Sequence, residues 1–306
     1  MTTPDVAVFS TAPARLLERL RRHLPASLTV LRRLQSARHG IAHSPDSQVL
    51  LVLDKDEDDG PFTAAYADFS PAPDGQTFIF STVETRAQDQ SRCKAQLTAL
   101  VDALAHLQQG QGSRKSILLA NLNSEVGALL EPTGRLRPRP TGLHDKWLFD
   151  VTRLPTVEQR LPEGLHWGSA SLADCETVVS RSNIPRTPQF LSLLPNVVIK
   201  KEDETPVVWT FLGESRQTTT GKKKRKEKAD WCAGVDGTLI SIHCEDAYRR
   251  KGLARALVVK LLREKMGQLT GDESDTLAAA DVSVTNEASQ GLCRSLNARR
   301  VSVVSW

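Results

Sequence analysis

Apolar positions along this chain recur at two spacings, and the sharpest change between them falls across Thr238 to Leu262. Thr238 to Cys244 is short and rich in β-branched and apolar residues, the pattern of a buried strand. From Leu253 onward, Leu253, Ala256, Leu257, the stem of Lys260, and Leu261 follow helical spacing. A short basic turn, Arg249 to Ala254, joins the two. Earlier in the chain, Pro13–Leu24 predicts a helix with Leu16, Leu17, Leu20 and Leu24 on one side. Leu28–Leu34, Gln48–Leu53, Phe78–Val83, Ser116–Ala120 and Lys146–Val151 read as strands, and Lys94–Leu107 and Ser124–Leu130 as helices. In the second half His166–Ala170 predicts a strand. Ser171, with Asp174 three residues on, predicts a capping box opening a helix. Prolines break the chain from Ile184 to Pro188, and Gln189–Leu194 follows as a short helix ended by Pro195. Asn196–Lys200 and Pro206–Leu212 predict a hairpin turning at Lys201–Thr205, and Ala280–Thr285 a further strand. The alternation of strands and helices gives an α/β chain with a mixed sheet.

Composition narrows this only modestly. The 306 residues, 40% hydrophobic and 25% charged, suit one large domain or two modest ones. A net charge of +4 allows an anionic ligand and does not by itself argue for nucleic acid. No apolar run approaches the ~18 residues of a membrane helix, so no membrane partner is expected. The five cysteines are widely spaced, with no C-x-x-C pair, so neither a zinc site nor a disulfide framework is expected. Asp54 to Gly60 opens like a calcium loop but has Asp59 where glycine is needed and Ala65 at the twelfth position, so no metal is expected. The basic run Arg216–Ala229 reads as a solvated insertion. Its Lys222–Arg225 core resembles a nuclear-import signal, so the expected location is cytoplasmic, with the nucleus as the alternative.

The turn carries the chemistry. Arg249, Arg250 and Lys251 precede Gly252, Leu253 and Ala254. Small residues let backbone approach a ligand, and the first amides of a helix lack intrahelical partners and lie at its positive end. Together they suit a diphosphate-sized anion, although a solvated basic turn has the same composition. The form Arg-x-x-Gly-x-Ala resembles the acyl-CoA motif of the GNAT acyltransferase superfamily. Downstream, Asn286, Ala288, Ser289, Leu292 and Leu296 stand in an order similar to that superfamily's second motif, and Pro206–Gly213 looks like the strand before the CoA strand. Within the superfamily the chain looks most like the glycine N-acyltransferase-like branch, including fungal relatives. The resemblance implies a GNAT domain over 161–306 with a basic insertion at 216–229, preceded over 1–160 by a reduced GNAT-like copy.

The resemblance further implies an N-acyltransferase with acetyl-CoA or another acyl-CoA as cosubstrate and an unidentified amine as acceptor. Arg249 to Ala254 would hold the cofactor, with Asn286 and Ser289 on its arm. Ile242, His243 and Cys244 would flank the thioester, a backbone N–H near Cys244 meeting the developing oxyanion. The family's usual base falls on Thr238 and its usual acid on Cys293, neither of which is the family residue. Asp236, two residues before Thr238 and on its face in a regular strand, is the candidate base, with a plain Asp-Gly turn as the alternative. Cys293, whose thiol has an ordinary pKa near ~8.5, is the candidate acid, with a small buried hydrophobe as the alternative. His243 falls on the opposite face in the same alternation and also admits a structural reading. A protein that binds acyl-CoA but turns it over weakly is the competing function.

Overall fold

The computed structural model of the chain describes residues 4–38, 46–54, 60–70, 75–85, 90–110, 116–137, 142–158, 160–182, 186–213, 237–270 and 276–306. The acidic run 55–59 and the basic run 216–229 lie outside them. One order of elements occurs twice. The first run is β1 (Asp5–Phe9), α1 (Ala14–Arg22), α2 (Leu28–Arg38), β2 (Ser47–Leu53), β3 (Phe62–Asp68), β4 (Thr77–Ser81), α3 (Gln90–Gly110), β5 (Leu122–Asn123), α4 (Ser124–Leu130) and β6 (Leu143–Asp150). The second is β7 (Leu165–Gly168), α5 (Leu172–Ser180), α6 (Pro188–Ser192), β8 (Asn196–Lys201), β9 (Pro206–Gly213), β10 (Thr238–Cys244), α7 (Leu253–Thr270), β11 (Leu277–Ser283), α8 (Glu287–Ser295) and β12 (Arg299–Ser305). Two compact units result, Met1–Lys146 with Val301–Trp306, and Trp147–Arg300.

In the first unit β1 to β4 form an antiparallel sheet in sequence order. Its middle strands are covered on both faces. Val49 and Leu51 of β2 pack in one core with Leu16, Leu20 and Leu31 of α1 and α2, while Leu50 and Val52 pack in another with Leu97 and Leu100 of α3. Double burial explains why β2 is a continuous apolar run and why the alanine-rich β3 lacks the alternation that marks a half-exposed strand. The strand expected at Leu28–Leu34 is instead the start of α2. Its apolar residues Leu28, Val30, Leu31 and Leu34 form one helical stripe, and the Leu31 N–H donates to Ser27 O at 2.9 Å. Ser116–Ala120 does not form a strand either: it makes one isolated parallel bridge, Thr77 to Leu119.

In the second unit β11, β10, β9, β8 and β7 are neighbours in that order. The β7–β8, β8–β9 and β9–β10 pairs are antiparallel, and β10–β11 is parallel. One face packs on α7 through Ile199, Val208, Leu212 and Leu239 against Leu253, Leu257 and Leu261. The other packs on α5 and α6 through Val198, Trp209, Phe211 and Ile240 against Cys175, Val178, Phe190 and Leu191. The capping box of α5 forms as its sequence implies: the Asp174 N–H donates to Ser171 Oγ at 3.2 Å, and the Ser171 N–H to Asp174 Oδ2 at 2.7 Å. Lys200 Nζ of β8 lies 2.8 Å from the same carboxylate, both side chains being nearly buried, and so pins α5 to the sheet.

Candidate active site

Two irregularities in β10 shape the site. The first is a bulge. Its register against β9 runs Thr238–Gly213, Leu239–Leu212, Ile240–Phe211, then jumps to His243–Trp209 and Cys244–Val208. Ser241 within the bulge has φ +52°, a left-handed conformation uncommon for a side-chain-bearing residue. An extra residue reverses the alternation of faces. Thr238, Ile240 and His243 therefore all lie opposite odd-numbered residues of β9 and share the α5–α6 face. This corrects the expectation that His243 points away from Thr238: its ring stacks on Trp209, centroids 4.4 Å apart.

The second irregularity is a parting of strands. β10 pairs with β11 at one position, Thr238 with Ala279, beside the Ala279 N–H bond to Gly237 O at 3.3 Å. Beyond it the strands share no register partners, while β10 stays paired with β9 to Cys244. The Glu245 N–H donates to Val207 O of β9 at 3.0 Å. Successive N–H groups of a strand point to opposite edges, so the Cys244 N–H is directed to the β11 side, where the gap lies. A gap between two strands that have stopped pairing can admit an extended ligand, and a backbone N–H directed into it can meet a developing oxyanion.

The basic turn stands at the open end of β10. Arg249 Nε donates to Cys244 O at 2.9 Å and its Nη1 lies 2.9 Å from Asp246 Oδ1, tying the turn to the strand's end. Arg250 has φ +60° and Gly252 φ +75°. Turns of this kind form anion-binding concavities of backbone amides. Leu253 is 4% exposed and anchors the first turn of α7 in the core, leaving the helix N-terminus at the turn. A Cβ at Gly252 would meet nothing within 4 Å, so the space before this backbone is open, as a diphosphate requires. Asn286 caps α8, its Oδ1 accepting the Ser289 N–H at 3.0 Å, at the open end of β11. Arg249 to Ala254 and the cap of α8 thus stand at the ends of the two parted strands.

The corresponding stretch of the first unit repeats the topology. There Thr77 of β4 bridges Leu119, and Asn123 caps α4 as Asn286 caps α8. No glycine follows β4 before α3. Instead Glu84 accepts from the Ser81 N–H at 3.1 Å and from Asn123 Nδ2 at 3.0 Å, and burial pushes its carboxyl up to about 8.

Of the candidate acid–base residues, Asp236 lies outside the described residues. Thr238 is buried in the sheet at the start of the gap. Cys293 is 3% exposed, packed in the core beneath α7, and burial pushes its thiol up to about 12. A proton held that tightly is transferred uphill to a thiolate of ordinary pKa near ~8.5. Burial also raises the Cys244 thiol, keeping it protonated at neutral pH. Among the described residues no group of His, Cys, Asp and Glu side chains is arranged to hold a metal ion, and no helix is long and apolar enough to cross a membrane.

One residue at this site was not expected from the sequence. Arg186, in the segment joining α5 to α6, is 6% exposed, and its Nη1 donates a short hydrogen bond to Ser241 Oγ in the bulge. Among the described residues its buried Nε has no hydrogen-bond partner, and burial lowers the guanidinium to about 10, still charged at neutral pH. In sequence it reads only as part of a proline-flanked break.

The parted parallel strand pair and the glycine-containing basic turn at a helix N-terminus belong to a fold that comparison with known proteins identifies. Residues 4–147 match the family model described as the acyl-CoA N-acyltransferase verG N-terminal domain, which covers the first unit rather than the half with the cradle. Among solved structures, a Drosophila protein is similar over 99% of this chain and 97% of its own, with a TM-score of 0.61 at 14% identity. A GCN5-related N-acetyltransferase from Sphaerobacter thermophilus is similar over 99% and 95%, with a TM-score of 0.55 at 14% identity. A tandem GNAT protein from the clavulanic acid biosynthesis pathway is similar over 98% and 96%, with a TM-score of 0.51 at 9% identity. No curated protein matches the chain in sequence. The chain has the GNAT fold.

Proposed function

We propose that this chain is an N-acyltransferase that moves an acyl group, acetyl in the first instance, from acyl-CoA to a primary amine. The observation that carries this reading is the parting of β10 from β11 directly above the Arg249–Ala254 turn. The turn and the N-terminus of α7 would hold the diphosphate, and the gap would take the pantetheine arm in place of a paired strand. The Cys244 N–H would stabilise the oxyanion as the amine nitrogen attacks the thioester carbon, worth roughly 3 kcal/mol in barrier. The C–N bond then forms, the C–S bond breaks, and CoA leaves as thiolate. With the Cys244 thiol kept neutral, direct attack by the bound amine is favoured over an acyl-enzyme route. The amine proton would pass to Asp236. His243 is a second candidate, because the bulge brings it to the face of Thr238, its Nε2 has no hydrogen bond among the described residues, and Glu245 Oε1 stands 3.6 Å away.

The competing reading, an acyl-CoA-binding protein with weak turnover, draws on the enclosed Cys293 and Thr238, neither of which is poised to move protons. Amine-dependent release of free CoA separates the two. Asp236→Asn and His243→Ala, each assayed for kcat and acyl-CoA Kd, identify the base: general acid–base terms are worth ~10²–10⁴ in rate. Loss of kcat in one variant with unchanged Kd assigns the role, and equal rates in both leave proton transfer to water.

A further inference from the structure

We propose that Glu245, held in place by Arg181, orients His243 so that the ring carries its proton on Nε2 and offers Nδ1 to the attacking amine. This rests on the acyltransfer reading. Of the two bases named there it selects His243, and it adds the residue that positions that ring. His243 and Glu245 stand two apart where β10 runs on extended: Glu245 has φ −60° and ψ 144°, and its N–H donates to Val207 O at 3.0 Å. Side chains two apart on extended backbone share a face, so both lie on the α5–α6 side. Arg181, the C-terminal cap of α5, reaches in from that side, and its Nε lies 3.2 Å from Glu245 Oε1. The same oxygen is 3.6 Å from His243 Nε2.

These contacts hold the ring in two directions. Trp209, 1% exposed, stacks against its plane at an angle of 17°. At its edge Nε2 is enclosed against the Glu245 carboxylate, an arrangement that favours a proton on that nitrogen and leaves Nδ1 its lone pair. At 3.6 Å the pair is outside hydrogen-bond length, and catalytic pairs of this kind tighten when ligands bind. The bulge at Ser241 aims the ring, since strict alternation would turn His243 to the α7 side. His243 also immediately precedes Cys244, whose N–H is directed into the gap, so an amine approaching from the α5–α6 side comes in beside this ring. As its nitrogen attacks, the C–N bond forms, the amine proton passes to Nδ1, the C–S bond breaks and its electron pair leaves on the CoA sulfur. The imidazolium, now with N–H on both nitrogens, faces the Glu245 carboxylate until Nδ1 loses its proton to water.

The test uses the full chain with acetyl-CoA and a panel of amino acids, arylalkylamines and short peptides. His243→Ala should lower kcat by at least about 100-fold and Glu245→Ala by about 10–100-fold, each with amine KM and acetyl-CoA Kd within about threefold. Glu245→Asp should recover part of the loss, and Arg181→Ala should show a smaller loss of the same kind. A second readout needs no turnover: nitrogen NMR of the histidine-labelled protein loaded with acetyl-CoA, the His243 signals being identified by their loss in His243→Ala. The neutral ring should be the Nε2–H tautomer in the wild type and a mixture of tautomers in Glu245→Ala. The proposal is overturned if the wild-type ring is the Nδ1–H tautomer, or if Glu245→Ala leaves the tautomer unchanged. It is also overturned if the wild type turns over and folded Glu245→Ala keeps kcat within about threefold. If no amine releases CoA from the wild type, the acyltransfer reading fails and the base role falls with it, while the NMR result alone decides whether Glu245 orients the ring. If Glu245→Ala does not fold, the near-isosteric Glu245→Gln takes its place, with the same loss of kcat expected.

Discussion

Gly252→Asp tests the cradle most sharply. Gly252 has φ +75°, and a Cβ there would have nothing within 4 Å, so the new side chain fits sterically but enters the open space before the α7 N-terminus. The left-handed backbone costs an L-residue roughly 1 kcal/mol, somewhat less for aspartate, so Tm should fall by only about 2–4 °C. The charge matters more. At an effective dielectric of about 40, unit charges about 5 Å apart interact by roughly 1.7 kcal/mol, so two diphosphate charges oppose binding by about 3 kcal/mol. That is close to 10² in Kd. Gly252→Ala separates the terms, since it carries the strain without the charge and should weaken binding far less. Calorimetric titration with CoA should give one site per chain in the wild type and a Kd about 100-fold weaker in Gly252→Asp. A folded Gly252→Asp protein with Kd within threefold of wild type would refute the placement of the diphosphate.

Two further outcomes follow from buried groups. Cys293→Ala should lower stability by about 1–2 kcal/mol, as for removal of a small core group, and leave kcat within threefold, because a thiol pushed up to about 12 is a poor proton donor; a large loss of kcat with unchanged Tm would restore Cys293 as the acid. Glu84 has its carboxyl raised from 4.5 to about 8, so the folded state keeps a proton that the unfolded state releases. Stability should therefore fall as pH rises from about 4.5 to about 8 and level off above, and Glu84→Gln should flatten that fall in denaturant titrations across the range without changing CoA affinity; an unchanged slope would count against the raised pKa.

Much of the second unit was legible because its signals are local. The capping box of Ser171 and Asp174 needs only four residues, the β8–β9 hairpin needs two apolar runs about a polar turn, and the strand, turn and helix from Thr238 onward carry both periods. What escaped depends on tertiary contact. The β3 strand, Phe62–Asp68, is covered on both faces and shows no alternation, and α2 opens with apolar residues spaced ambiguously enough to read as a strand. Strict alternation placed His243 on the wrong face because a bulge leaves no composition signature when its left-handed residue is Ser241 rather than glycine. Arg186 could not be singled out from sequence at all. Its meaning comes from burial and from the hydroxyl it meets 55 positions later.

The most direct measurement of the proposed activity is amine-dependent release of free CoA from acetyl-CoA and longer acyl-CoAs by the full chain, with the N-acyl product identified by mass. The expected result is CoA release that requires an amine, saturates with it, and yields one amide per CoA. Tight binding of acyl-CoA with no amine-dependent release across a panel of amino acids, aromatic amines and peptides would contradict it.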